Sequence, residues 1–320
     1  DVEFADICFS ANIGRSHFQH RLSIVAESTE DALQQLETLC ITSLHNGSVF
    51  TGIISTSKRP KIAFLFTAEN SEYINIGWEL YQTEPTFKQA LDECNEISKG
   101  LFDETGNKEQ IKNTSLFAIK YALYKLWASW GVNPDVLIAD GIGEYVAATV
   151  AGVFSLEDAL KLITTSEQSD FDKIANSINY SSAPFEIFSS FSGKLVNSEI
   201  TTASYWCKQV SQAVSFDKII ANLKELNCDI CLEIGIKSTL LEDSSTEILF
   251  LSSLGECDSN QDWQIMLSSL AQMYVNGVNI NWRGFDQDYL RTRVVLPTYP
   301  FQRQRYWIEA ANHHKLSRIN

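Results

Sequence analysis

The chain has 320 residues, 44% of them hydrophobic, with 40 Asp+Glu against 25 Lys+Arg and a net charge of -15. That balance argues against nucleic acid and anionic membrane as partners, because both select a basic face. No apolar run reaches the roughly 18 residues of a membrane-spanning helix, and residues 1–9 lack a basic region followed by an apolar stretch; the expected compartment is therefore the cytoplasm.

Ala5 to Phe18 opens an α/β-looking unit, followed by a strand-like segment from Arg21 to Ala26 and a helix from about Thr29 to Leu44, with Ala32, Leu33, Leu36, Leu39 and Cys40 on one stripe. Ser55 to Pro60 reads as a turn or linker. Lys61 to Phe66 is a continuous apolar run of the kind buried in a parallel sheet. Helical patterns follow at 73–81 and 86–97. Asn113 to Trp130 is the clearest helix: Leu116, Ile119, Leu123, Leu126, Trp127 and Trp130 keep helical spacing, and Gly131 stops it. Asp135 to Ile138 is the next buried strand. It runs into Ala139-Asp140-Gly141-Ile142-Gly143 and a helix through Ala151, and Ser155 to Asp158 caps another. Further strands are expected at 186–191, 229–234 and 247–251, with helices at 204–210, 216–226 and 262–275. Strands alternating with helices imply an α/β fold with a mainly parallel sheet.

Residues 286–320 differ from the rest. They carry six Lys+Arg against three Asp+Glu, and they gather Pro297, Tyr299, Pro300, Phe301, Tyr306 and Trp307. Such a strip reads as an extended arm laid over another surface.

Several chemistries are narrowed by residue placement. The five histidines are His17, His20, His45, His313 and His314, so residues 46–312 have no Ser-His or Cys-His pair of their own. No arginine lies between Arg59 and Arg283, which removes a bidentate grip on a carboxylate from that span. Seven irregularly spaced cysteines fit a reducing compartment. Cys228 and Cys231 form a C-x-x-C, but on a strand positions i and i+3 face opposite ways, and no second ligand pair accompanies them. They are read as buried thiols, and no metal or cofactor is expected.

Strand, tight turn and helix is the setting of a nucleophile elbow, in which a serine stands above the sheet at a helix N-terminus. Here Ala139 and Gly143 hold the flanking small positions and Gly141 holds the serine position. Taken alone, this is equally a plain strand–helix turn. The acidic residues Glu69, Glu72, Asp140 and Glu144 are read as solvated side chains on an open rim, in preference to a carboxylate or metal site.

A family resemblance covers nearly the whole chain. Asn12 to Phe18 and His20 to Leu22 resemble the linker between a ketosynthase and an acyltransferase in modular polyketide synthases. Phe64 to Tyr73, Trp130 to Ile138, Gly143 to Ala148 and Ala151 to Leu160 resemble segments of the acyltransferase, as do Ser192 to Leu195, Tyr205 to Cys207 and Leu232 to Gly235. Leu296 to Phe301 with Arg305 to Trp307 resembles the linker that follows it. The resemblance implies an acyltransferase-like α/β-hydrolase-type core at 61–285, preceded by a small α/β linker domain at 1–60 and followed by a linker arm at 286–320.

Measured against that family, the site looks degenerate. The serine is Gly141 and its neighbouring histidine is Asp140; the oxyanion loop reads Ala68, Glu69, Asn70; Thr164, Thr165 and Ser166 stand where a carboxylate-binding arginine is due. The general-base histidine is missing, and the chain passes from Ala159–Ile163 almost directly to Phe171, so the small ferredoxin-like subdomain is expected to be absent. These departures lead to the expectation of a non-enzyme: a truncated, inactive acyltransferase-like scaffold. Its expected partners are the adjacent ketosynthase and other synthase domains and a discrete trans-acting acyltransferase. An acidic carrier protein is disfavoured on the acidic core face. Tyr299, Phe301, Arg303, Arg305, Tyr306 and Trp307 are the interaction candidates. The alternative is a repurposed enzyme acting on carrier-bound or CoA-bound acyl groups.

Overall fold

The strand β3 (Ile62–Phe66) is buried at all five positions, which is why its sequence shows no polar alternation. Around it the computed structural model, which describes residues 2–42, 47–55, 58–67, 77–99, 108–189, 193–196, 198–208, 216–236, 247–255, 261–301 and 303–304, builds a six-stranded sheet. Its order is β6-β5-β4-β3-β7-β8, with β4 at Val136–Ala139, β5 at Glu186–Ser189, β6 at Lys194–Leu195, β7 at Ile230–Ile236 and β8 at Leu249–Leu254. All neighbours pair in parallel except β6, which is antiparallel to β5. The register sets Phe66 beside Ala139 and Ala139 beside Ser189, so the carboxyl ends of β3, β4 and β5 line up along one edge.

Helices cover both faces. On the larger side lie α3 (Trp78–Thr83), α4 (Pro85–Lys99), α5 (Lys108–Ser129), α6 (Ile142–Val150), α7 (Leu156–Thr164) and α8 (Gln168–Ser177). The helix α5 is anchored by side chains that its periodicity places inward: Trp127 is fully buried and its indole N–H donates to Ser253 Oγ at 2.9 Å. Ser253 in turn donates to the Glu233 carbonyl at 2.7 Å, tying α5 to both β7 and β8. A smaller apolar cluster on the other face includes Ile219 and Leu223 of α10 (Phe216–Glu225). The chain also forms α9 (Ala203–Cys207), α11 (Asp262–Val275) and α12 (Trp282–Phe285).

Residues 4–53 carry a second sheet of two strands: α1 (Phe4–Gly14), β1 (His20–Ile24), α2 (Thr29–Thr42) and β2 (Val49–Ile53) follow in order, with β1 and β2 paired antiparallel. Arg21 fastens it to the end of α11, donating to the carbonyls of Tyr274 at 2.8 Å and Val278 at 3.2 Å, with its guanidinium 4.6 Å from the Tyr274 ring centre. Past α12 the arm has neither helix nor strand in its described part and lies along α1. The Thr292 and Val294 amides donate to Asp6 and Ser10, and Arg15 donates to the carbonyls of Leu296 and Pro297.

The α/β class and parallel sheet follow the sequence reading. Several short elements, α12 among them, do not appear in it. The strands β2 and β6 owe their form to their antiparallel partners rather than to an apolar pattern of their own, and α8 shows only Phe171, Ile174 and Ala175 on its packed face. The reading of Cys228 and Cys231 as opposite-facing is corrected: both are buried in the same smaller cluster. Cys228 precedes β7, just after the left-handed turn at Asn227, so strand alternation does not govern it. Burial raises both thiols, Cys228 to about 11.

Candidate functional site

The site forms where β4 ends. Asp140 donates its backbone N–H to the Phe66 carbonyl at 2.9 Å, so the turn is pinned to β3 at its first residue. Gly141 then takes φ 53°, ψ -123°, a conformation costly for any residue with a Cβ, and α6 starts at Ile142. The Gly143 and Glu144 amides donate back to the Asp140 and Gly141 carbonyls, at 2.9 and 3.1 Å. The Ile142 amide has no partner among the described residues. It stands at the positive end of α6, the place where such a turn offers an N–H to a developing oxyanion.

Ala139, Asp140, Gly141, Gly143 and Glu144 are thus brought together in one turn, but with different surroundings. Ala139 and Gly143 are buried, while Asp140 and Gly141 are part-exposed. Glu144 corrects the expectation of an open acidic rim. It is 1% exposed, and its two carboxylate oxygens accept from Ser189 Oγ at 2.6 Å and the Tyr205 hydroxyl at 2.7 Å. The two hydroxyls lie 2.6 Å apart. As the third residue of α6, Glu144 points toward β5 and α9. Burial, then the Glu144 charge, pushes the Tyr205 phenol well up, so it stays a donor. This trio holds the first turn of α6 to two other elements. Tyr205→Phe is expected to lose about 1.5–3 kcal/mol, the usual range for a hydrogen bond to a charged group. Urea denaturation measures it, and a change below about 0.5 kcal/mol would show that Glu144 does not need this donor.

A second buried polar group lies at the ends of β3 and β7. Thr67 Oγ1 donates to Glu233 Oε1 at 3.0 Å, and Lys120 of α5, 1% exposed, donates to the Ile234 carbonyl at 3.2 Å. Sequence reasoning passed over it. The available signal was Lys120 itself, four residues after Leu116 and three before Leu123, on the buried side of α5.

Ala68, Glu69, Asn70 and Glu72 lie outside the described residues, as do Arg305, Tyr306 and Trp307. Tyr299, Phe301 and Arg303 are exposed on the arm, far from the elbow in sequence. Thr164 ends α7 and Thr165 and Ser166 lie in the link to α8, where Gln110 donates to the Thr164 carbonyl and Ser166 Oγ, both at 2.6 Å. That link is residues 165–167, and no strand occurs between α7 and β5. Among the described residues no group of three His, Cys, Asp or Glu is placed to hold a metal ion, and no helix is long and apolar enough to cross a membrane.

Comparison with known proteins gives this geometry a context. Residues 63–172 match the family model described as acyl transferase domain, and residues 1–36 match the one described as CurL-like, PKS C-terminal. The chain is 25% identical to an orsellinic acid synthase of Armillaria mellea over 96% of its own length and 19% of that protein's. It is 32% identical to the Armillaria ostoyae orsellinic acid synthase over 51% of its length and 8% of the relative's. The chain therefore spans less than a fifth of these curated relatives. The acyl transferase domain of ZmaA superposes with a TM-score of 0.81 at 23% identity, covering 92% of each chain, a likeness of fold.

Over residues 63–172 the chain is thus similar to the acyl transferase domain, and its fold is like that of a solved acyl transferase domain. The expectation of a non-enzyme is corrected by the first of these matches. The segment that fits the acyl transferase model runs straight through the elbow, and its members form an enzyme class. Glycine at position 141 and aspartate in place of histidine at 140 exclude an acyl-serine at that position, not acyl-group chemistry.

Proposed function

We propose that the chain acts on carrier-bound or CoA-bound acyl thioesters through its elbow, without a covalent intermediate at position 141. The observation that carries this reading is the turn itself: Gly141 keeps the strained elbow backbone, and the Ile142 amide at the start of α6 is left without a partner among the described residues. A thioester carbonyl placed there would have its oxygen stabilised by that N–H and the helix dipole. Asp140 beside it is the candidate base. It takes the proton of an attacking thiol or water as the nucleophile–carbon bond forms; the carbon–sulfur bond then breaks and the proton passes to the leaving thiolate. Asp140 and the acidic core favour an uncharged acyl group over malonyl, whose carboxylate they repel.

The test is release of CoA from acetyl-CoA and malonyl-CoA by the full chain, with water or N-acetylcysteamine as acceptor, together with intact-mass measurement. The expected result is turnover above buffer, faster for acetyl-CoA, with no mass adduct and at least a tenfold loss in Asp140→Asn. No turnover with either ester, or a stable acyl adduct, would overturn the reading.

Four further features belong to the proposal. The division into 1–60, 61–285 and 286–320 is supported by the separate two-stranded sheet and the irregular arm. Absence of a small lid subdomain is supported by the 165–167 link, which borders an open groove of about 610 Å³. A connecting role toward neighbouring synthase domains is favoured by exposed Phe18, Leu290, Val295, Tyr299 and Phe301; no observation singles out a trans-acting acyltransferase as the partner. Six free cysteines among the described residues fit the cytoplasm.

A further inference from the structure

We infer that residues 286–297 form a clasp on the turn between α3 and α4 that tightens as pH falls through neutrality. The contact is built from carboxylates. Glu84, in the turn between the two helices, is 3% exposed, and Asp286 at the start of the arm is 7% exposed. Asp288 adds a third carboxylate, accepting from Thr86 Oγ1 at 3.3 Å. One guanidinium, Arg291, faces them. Its Nε donates to Asp286 at 2.7 Å and its guanidinium carbon lies 4.5 Å from the Tyr289 ring centre. Of the other charged or titratable groups nearby, the Cys8 thiol of α1 faces Asp286 and Arg291, and Lys88 of α4 is turned to the Tyr81 ring at 4.5 Å.

Tyr289 makes the connection. Its hydroxyl lies 2.6 Å from Glu84 Oε1 and 2.9 Å from the Thr83 carbonyl. A phenol has one proton. With Glu84 ionised, that proton serves the carboxylate and the Thr83 carbonyl is left facing an oxygen lone pair. With Glu84 protonated, its O–H donates to the Tyr289 oxygen and the phenol proton serves Thr83, so both short contacts become hydrogen bonds. The neutral form satisfies the geometry that the charged form leaves half made.

Energetics point the same way. Burial pushes the Glu84 carboxyl up to about 7; Asp288 and Asp286 add to this, while the Tyr289 hydrogen bond and Arg291 oppose it. A carboxyl whose docked pKa is raised stabilises docking fully below its free value near 4.5, and that contribution is lost as pH rises through about 7. From pH 8 to pH 6 the docking equilibrium should shift about tenfold toward the closed arm.

The arm's amides report on this, since Thr292 and Val294 donate to Asp6 and Ser10 only while it is docked on α1. Hydrogen exchange of the full chain at pH 6 and pH 8, corrected for intrinsic rate, should show about tenfold greater protection of residues 289–297 at pH 6. Glu84→Gln should be protected alike at both. Asp288→Asn removes an exposed neighbouring charge and should move the midpoint to lower pH, which a merely structural contact would not do. Equal protection of the native arm at both pH values, an undiminished step in Glu84→Gln, or an unmoved midpoint in Asp288→Asn would each overturn the inference.

Discussion

Gly143→Ala is expected to lower stability by about 3 kcal/mol or more and to abolish any activity at the elbow. A Cβ at this position would stand 2.3 Å from the Phe66 carbonyl oxygen, 2.7 Å from Phe66 Cβ and 2.9 Å from its carbonyl carbon. These are backbone and stem atoms of the central strand, which is paired on both sides and cannot retreat. The helix α6 would have to lift instead. That movement pulls the Ile142 amide from its place and strains the Asp140 amide bond to the same Phe66 carbonyl. The midpoint of urea unfolding measures the stability loss. A cost below about 1 kcal/mol would show that the helix end yields easily and that the close approach does not set the site.

The second large effect lies away from the elbow. Trp127→Ala should cost about 4 kcal/mol, because it removes a fully buried indole from the centre of the core. The ring packs edge-on against Trp130, with centres 5.3 Å apart, and its N–H is the donor to Ser253. Trp127→Phe separates the two contributions: it keeps most of the apolar volume and loses the hydrogen bond, so it should cost about 1–2 kcal/mol. Thermal unfolding of the two variants gives the comparison, and equal losses would mean that the polar link from α5 to β8, and not the packing, carries the whole effect.

Much of the frame was legible from residue patterns. Ile62 to Phe66 and Val136 to Ala139 are apolar throughout because each lies inside a parallel sheet with both faces covered. The helix α5 was legible because its Leu and Trp positions repeat at helical spacing, and Ser155 caps α7 as its sequence implies, accepting from the Asp158 amide. The elbow was legible as a turn with small residues at its flanks. The glycine at the serine position was legible too, as were the missing histidine and arginine, but absent side chains do not by themselves set the class of the domain.

What stayed hidden was the fate of buried polar groups. Glu144 looked like a rim residue because its partners, Ser189 and Tyr205, stand 45 and 61 positions away. Lys120 meets the Ile234 carbonyl across 114 positions, and Glu84 meets Tyr289 across 205. Local periodicity records which face of an element is apolar, since that depends on neighbours three or four residues away. It carries no record of which distant hydroxyl will satisfy a carboxylate on that face. The sequence by itself determined a parallel α/β core with an elbow turn that cannot be acylated at Gly141. Only the tertiary structure decided which charges are buried, what holds the elbow in place and where the arm is fastened, because a buried charge is tolerated only where the fold brings it a partner.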